Sequence, residues 1–165
     1  MERFLKDKLH GGFRRVKPAR SKAMSLIKGK RNKSTENVLR MLMVRSGLRF
    51  WRMHEPSVRG SPDFFFPHLK LAVFVDGCFW HYCHRCGHLP RTRSAFWRSK
   101  LVGNRLRDSR TNKSLRSQGI KVVRVWEHDL NGRPARQRVI ARLHRVITSL
   151  EAAPPLSGSQ KAPSA

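Results

Sequence analysis

Apolar residues recur at helical spacing once the first thirty or so positions are passed. Val38, Leu39, Leu42 and Met43 fall on one stripe, Ser34 or Thr35 can cap its start, and Gly47 ends it. Glu36 lies in the first turn, where the helix dipole favours an anion. The pattern then switches to a period of two, so that Leu48–Met53 (LRFWRM) predicts a strand. Pro56–Pro62 reads as a loop. The apolar runs Asp63–Phe66 and Leu69–Asp76 flank Pro67-His68 and predict a hairpin. A long basic stretch, Ser94–Ser117, predicts a helix that Gly103 can interrupt and Gly119 ends. Ile120–Trp126 (IKVVRVW) predicts a buried strand. Gly132-Arg133-Pro134 then opens a last helix, whose core stripe is Val139, Ile140, Leu143, Val146, Ile147 and Leu150. Helix, three strands, helix, strand, helix is the order of a mixed sheet with helices packed on it, α/β or α+β.

The hairpin has a consequence for two acids. With His68-Leu69 at the turn, residue 63 pairs with residue 74, and Asp63 and Asp76 project from one face as diagonal neighbours. Such neighbours sit roughly 7–8 Å apart at the backbone, within joint reach of a metal or phosphate. A slip of one residue would send them to opposite faces.

The length fits one domain, over residues 20–151. Residues 1–19 read as a flexible basic arm, and 152–165, rich in Pro, Ser, Ala and Gly, as a disordered tail. Ser21–Lys28 predicts a short helix with Met24 and Ile27 on one side, which needs the body or a ligand to order it. No run of about 18 apolar residues is present. The opening MERFLKDKLHGGFRR lacks the apolar centre of a signal peptide, so the expected setting is cytoplasmic, with no membrane partner.

Charge sharpens this. Lys and Arg number 36 against 10 Asp and Glu, a formal net charge of +26. An excess so large calls for a polyanion, nucleic acid first and an anionic membrane surface a distant second. It also makes each acid worth placing. Inside the chain they are Glu36, Glu55, Asp63, Asp76, Asp108, Glu127 and Asp129.

All three cysteines fall in Val73–Cys86 (VFVDGCFWHYCHRC). Cys78, Cys83 and Cys86 are spaced so that three thiolates can converge on one tetrahedral ion, and a cytosolic chain favours metal over disulfides. His84, His88 and His128 are the available fourth ligands. His128 is favoured, because it follows directly on a buried strand, whereas His84 lies between two ligands. Four protein ligands make a closed, structural zinc site. Asp63, behind Pro62 at a strand start, has the setting of a carboxylate that holds a hard divalent ion against a scissile phosphate.

Longer motifs now connect these pieces. RSKAM..I (Arg20–Ile27), TENVLR (Thr35–Arg40), G.RF (Gly47–Phe50), G.PDF (Gly60–Phe64), VFVDGCFWH (Val73–His81), P.TR..FW..K...N..RD (Pro90–Asp108) and VVRVWE (Val122–Glu127) resemble the very short patch repair (Vsr) DNA mismatch endonuclease family, over about residues 20–130. The resemblance implies a restriction-endonuclease-like fold, a mixed β-sheet flanked by helices. It implies magnesium-dependent nicking of double-stranded DNA 5′ to the thymine of a T:G mismatch left by deamination of 5-methylcytosine. The setting implied is the bacterial cytoplasm, at the nucleoid, with DNA as partner and a monomer sufficing to nick one strand. By motif, Asp63 would be the central magnesium ligand and His81 the general base or water-positioning group. Glu36 and Asp108 would assist from their helices. Phe79, Trp80 and Trp97 would wedge into the duplex, and Met24 and Ile27 would contact DNA from the other groove.

Three departures stand out. Relatives of this kind carry a His-x-Cys pair after GCFWH and end in WEC. Here Cys83 stands at the histidine position, Cys86 comes one residue late, and WEC has become WEH with His128, so the ligand count survives. Asp76 stands where some members carry a histidine; an aspartate there can bind metal or orient His81. Glu55–Ser61 matches little, which leaves the flanking-base preference open. A zinc-stabilised DNA-binding module without catalysis, and a related nuclease with another DNA target, are the alternatives carried forward.

Overall fold

The computed structural model describes residues 35–152. The expectations for the basic arm, for the short helix with Met24 and Ile27, and for the tail lie outside the described residues.

Helix α1 (residues 35–45) buries Leu39 and Met43 completely, with Val38 and Leu42 packed beside them. It closes as a Schellman motif. Gly47, at φ +81°, donates its N–H to Val44 O at 3.3 Å, and Leu48 N–H reaches Met43 O at 2.9 Å. The strand expected over Leu48–Met53 shrinks to β1 (Arg52–Met53). Phe50 stands at φ +64°, outside strand geometry, and is 83% exposed. Arg49 Nη1 folds back onto Val44 O at 2.6 Å. The segment still packs: Leu48 is buried and Trp51 meets Phe64 edge-on at 5.2 Å.

β2 (Phe64–Phe66) and β3 (Leu71–Asp76) form the expected antiparallel hairpin, with Phe64 opposite Val73, a register that carries 63 opposite 74. β1 pairs with β2, Met53 opposite Phe64. β4 (Lys121–Trp126) runs parallel to β3, Val73 opposite Val123 and Asp76 opposite Trp126. The sheet order is β1-β2-β3-β4. A parallel pair needs a crossover, and the cysteine-rich loop followed by α2 (Ser94–Ser117) provides it. Gly103 does not interrupt α2: a glycine inside a helix costs only about 1 kcal/mol. A 3-10 turn (Glu127–Leu130) leads to α3 (Arg133–Glu151), with Pro134 in its first turn as expected.

β3 is buried along its whole length because helices cover both faces of the sheet. On one face Phe64, Phe66, Val73, Val75, Val123 and Val125 meet Leu39 and Met43 of α1 and Val139, Leu143 and Ile147 of α3. Each fully buried side chain of this kind stabilises the fold by about 1.5–3 kcal/mol. On the other face Ala72 and Phe74 meet Leu115 of α2. Side chains alternate along a strand, so Asp76 and Arg124 belong to this second face. The chain is thus α/β, a mixed four-stranded sheet between helices. No helix among the described residues is long and apolar enough to cross a membrane.

Candidate active site and metal centre

β3 ends at Asp76 and the chain turns into a loop wound on itself. Cys83 N–H donates to Cys78 O at 2.9 Å and Gly87 N–H to Cys83 O at 2.8 Å. The elements that follow hold the loop from outside. Glu127 Oε2 accepts Cys78 N–H at 3.1 Å, and Asn104 Nδ2 of α2 donates to Trp80 O at 2.9 Å. Gly87 is there for lack of a side chain: a Cβ would lie 2.4 Å from Cys83 O and 2.8 Å from Cys83 N.

The winding brings Cys78, Cys83 and Cys86 together, and the 3-10 turn after β4 adds His128. The four donor atoms lie within 4.8 Å of one another. His128 Nδ1 is 3.2 Å from Cys78 Sγ, 3.6 Å from Cys83 Sγ and 3.5 Å from Cys86 Sγ. Its other nitrogen, Nε2, lies 3.4 Å from Asp129 Oδ1, the carboxylate backing usual for a metal-bound imidazole. His84 is exposed and edge-on to Trp126, and His88 packs against Phe79; neither joins the group. Burial, then the neighbouring sulfur of Cys86, pushes the Cys78 thiol up to about 12. Burial also raises Cys83, but the N–H groups of Arg85 and Cys86, with the Cys86 and Cys78 side chains, hold that thiol below its ordinary value. Three thiolates cannot share this space without a cation, and this Cys3His set could hold a metal ion.

A second donor group forms where α1 meets the start of β2. Glu36, His54 and Asp63 offer one ligand atom each within 4.8 Å. Asp63 Oδ2 accepts Val75 N–H at 2.7 Å, and its Oδ1 lies 4.0 Å from His54 Nδ1. His54 Nε2 lies 3.5 Å from Glu36 Oε2. Burial first, and then the charges of Glu36 and Asp76, push the Asp63 carboxyl up to about 6, against the pull of Val75 N–H and His54. His54 was not singled out from the sequence. It stands opposite Asp63 because β1 pairs with β2, and its N–H donates to Asp63 O at 3.3 Å. That pairing is the signal that would have found it.

His81 gathers with different acids. Its Nδ1 is 2.6 Å from Asp108 Oδ2 on α2 and 3.7 Å from Asp76 Oδ1. Burial raises the Asp108 carboxyl, but the His81 hydrogen bond and the charges of His81 and Arg124 hold it below its ordinary value. Asp76 is 2% exposed, and Arg124 takes both its oxygens, Nε to Oδ2 at 2.5 Å and Nη2 to Oδ1 at 2.7 Å. Asp76, considered from the sequence as a magnesium ligand or an orienter of His81, lies outside the Glu36–His54–Asp63 donor group and beside His81. Arg124 was also missed in the sequence, where it looked like one more basic residue of a buried strand.

Phe79, Trp80 and Trp97 form one half-buried aromatic cluster where the loop meets the start of α2. Phe79 lies 5.1 Å from Trp80 and 5.2 Å from Trp97, centroid to centroid. Of the seven internal acids, only Glu55 serves its own turn, through Ser57 and Arg52. The other six stand in the donor groups or directly behind them.

Fold and site together define a strongly basic α/β protein with carboxylates at one end of its sheet and a Cys3His cluster beside them. Comparison with known proteins makes this particular. The family model described as "DNA mismatch endonuclease Vsr" matches residues 15–88. The type II nicking enzyme V.XorIIP of Xanthomonas oryzae pv. oryzae is 36% identical over 135 residues, 81% of this chain and 96% of that one. The DNA mismatch endonuclease Vsr of Escherichia coli (strain K12) is 39% identical over 119 residues, 71% of this chain and 74% of that one. The type II nicking enzyme V.NmeAIP of Neisseria meningitidis is 35% identical over 130 residues, 78% and 91% of the two chains. The chain belongs to the Vsr family of DNA mismatch endonucleases.

Proposed function

We propose that this protein is a magnesium-dependent DNA endonuclease with a restriction-endonuclease-like fold, nicking double-stranded DNA 5′ to the thymine of a T:G mismatch. The observation that carries the reading is that the sheet end where β2 starts and β3 stops carries the Asp63 carboxylate group, and that His81, held by Asp108, stands beside Asp76 at the stop of β3. Asp63 and Glu36 are hard oxygen donors and fit magnesium, with Asp63 as the principal ligand. Magnesium supplies a Lewis acid for the scissile phosphate and lowers the pKa of water. His81, anchored through Nδ1, keeps Nε2 to take or give a proton. Phe79, Trp80 and Trp97 offer apolar faces to unstack a base step, which is cheapest at a mismatch. The excess of Lys and Arg meets the phosphates.

The Cys3His set suits zinc. Zn–S of about 2.3 Å and Zn–N of about 2.0–2.1 Å give a tetrahedral S–N edge of about 3.5 Å. The three edges to His128 Nδ1 are 3.2, 3.6 and 3.5 Å. With four protein ligands its role is structural, and it holds the loop that carries His81 and the aromatics.

The test is incubation with magnesium and duplexes carrying T:G, T:A or C:G at one site, at fixed salt. Nicking of T:G alone is expected, and Asp63→Ala should abolish it while leaving most of the binding. Binding without nicking overturns the enzyme reading. Nicking at another site favours the second reading, a nuclease with a different target, which the nicking-enzyme names of several relatives keep in play.

A further inference from the structure

We propose that Arg124 is a positioning residue: its guanidinium ties Asp76 and Asp108 into one frame that aims His81. The consequence for cleavage rests on the nuclease reading above; the frame itself rests on geometry alone.

Arg124 projects from β4 onto the α2 face of the sheet, with a side chain only 19% exposed. A charge placed there destabilises the fold unless it is paired and hydrogen-bonded. All three guanidinium nitrogens of Arg124 have partners. Nε and Nη2 grip Asp76 of β3 at 2.5 and 2.7 Å. Nη2 also reaches Asp108 Oδ1 of α2 at 3.1 Å, and Nη1 donates to Asn112 Oδ1 at 3.2 Å. The guanidinium lies over the Phe74 ring at 5.0 Å. One planar group therefore joins two strands and a helix.

Asp108 divides its oxygens. Oδ1 goes to Arg124, and Oδ2 goes to His81 Nδ1 at 2.6 Å. The oxygen that orients the imidazole is thus set by the one that Arg124 holds. Asp76 Oδ1 stands on the other side, 3.7 Å from the same Nδ1. His81 lines a cleft of about 400 Å³ whose α2 wall carries Arg105, Lys113 and Arg116. A phosphate drawn to those cations meets His81 in the pose the frame dictates. Without Arg124, Asp76 and Asp108 face each other uncompensated, move apart, and release the imidazole. Lysine is a poor substitute, since a point charge cannot hold two carboxylates in a fixed fork.

The experiment compares wild type with Arg124→Lys and Arg124→Gln as full chains loaded with their metal. Single-turnover nicking at saturating enzyme is measured beside the affinity for the same T:G duplex. Misplacing a catalytic group by about 1 Å costs about 100-fold, so Arg124→Gln should slow nicking by about that factor, and Arg124→Lys by less, with affinity nearly unchanged. In parallel, nitrogen-15 spectra of the free protein should show His81 in one fixed tautomer in wild type and an averaged ring in Arg124→Gln. That reading needs no cleavage, so if wild type nicks nothing the nuclease reading fails while the frame is still decided. If Arg124→Gln does not fold, the neutral pair Asp76→Asn/Arg124→Gln replaces it, with the same loss of the His81 signal expected. A variant that keeps the wild-type His81 spectrum overturns the proposal. So does one that loses affinity in step with rate, which would make Arg124 a DNA contact.

Discussion

Asp63→Asn should make the magnesium-free protein more stable at neutral pH while abolishing nicking. The Asp63 carboxyl is pushed up to about 6 from an ordinary 3.8, mainly by burial. About two units at about 1.36 kcal/mol each place roughly 2–3 kcal/mol against the folded state once the group ionises. The side chain is 19% exposed, so solvent screens little of this. The folded state holds the proton more tightly than the unfolded state. The penalty is therefore absent below about pH 4, grows as pH rises toward 6, and is complete above it. Asn is nearly the same size and keeps an oxygen for Val75 N–H, the 2.7 Å bond, but places no charge beside Glu36 and Asp76. Urea unfolding in magnesium-free buffer without chelator, so that the Cys3His ion stays, measures the effect. The variant should exceed wild type by about 2–3 kcal/mol at pH above about 7, with the gap closing near pH 4. Added magnesium should stabilise wild type and not the variant. Equal stability at neutral pH, or a gap independent of pH, refutes the electrostatic reasoning.

Three further outcomes follow from the same geometry. His128→Ala should drop bound metal from about one equivalent per chain to none and unfold the loop, while His84→Ala leaves both intact; metal analysis with circular dichroism decides, and the reverse result moves the fourth ligand. Gly87→Ala must push its Cβ against Cys83 O, at 2.4 Å, so metal affinity and thermal stability should both fall, read by chelator competition and melting. Asp108 is held below its ordinary value by His81 and Arg124, so its contribution is present at neutral pH and lost as pH falls through the acid range. Asp108→Asn should flatten that limb of the stability curve.

The order of elements could be read from the chain because each rests on a local period. The Val38–Met43 stripe, the apolar run Asp63–Phe66 and the glycines at 47 and 119 act within a few residues of themselves. The hairpin register was legible for the same reason: one short turn fixes which residue opposes which, and that sets Asp63 opposite position 74. Three cysteines within nine residues announced a metal site without help. Phe50 shows where such reading stops, because a backbone at φ +64° leaves only Arg52–Met53 of the strand that alternation had promised. Partners brought from far along the chain were harder still. His54 reaches Asp63 only because β1 chose β2, and Arg124 finds Asp76 and Asp108 only after β4 has aligned with β3 and α2 has crossed above them. Composition marked that arginine as one basic residue among 36. What distinguishes it is burial between two carboxylates, a property of packing that no local pattern encodes.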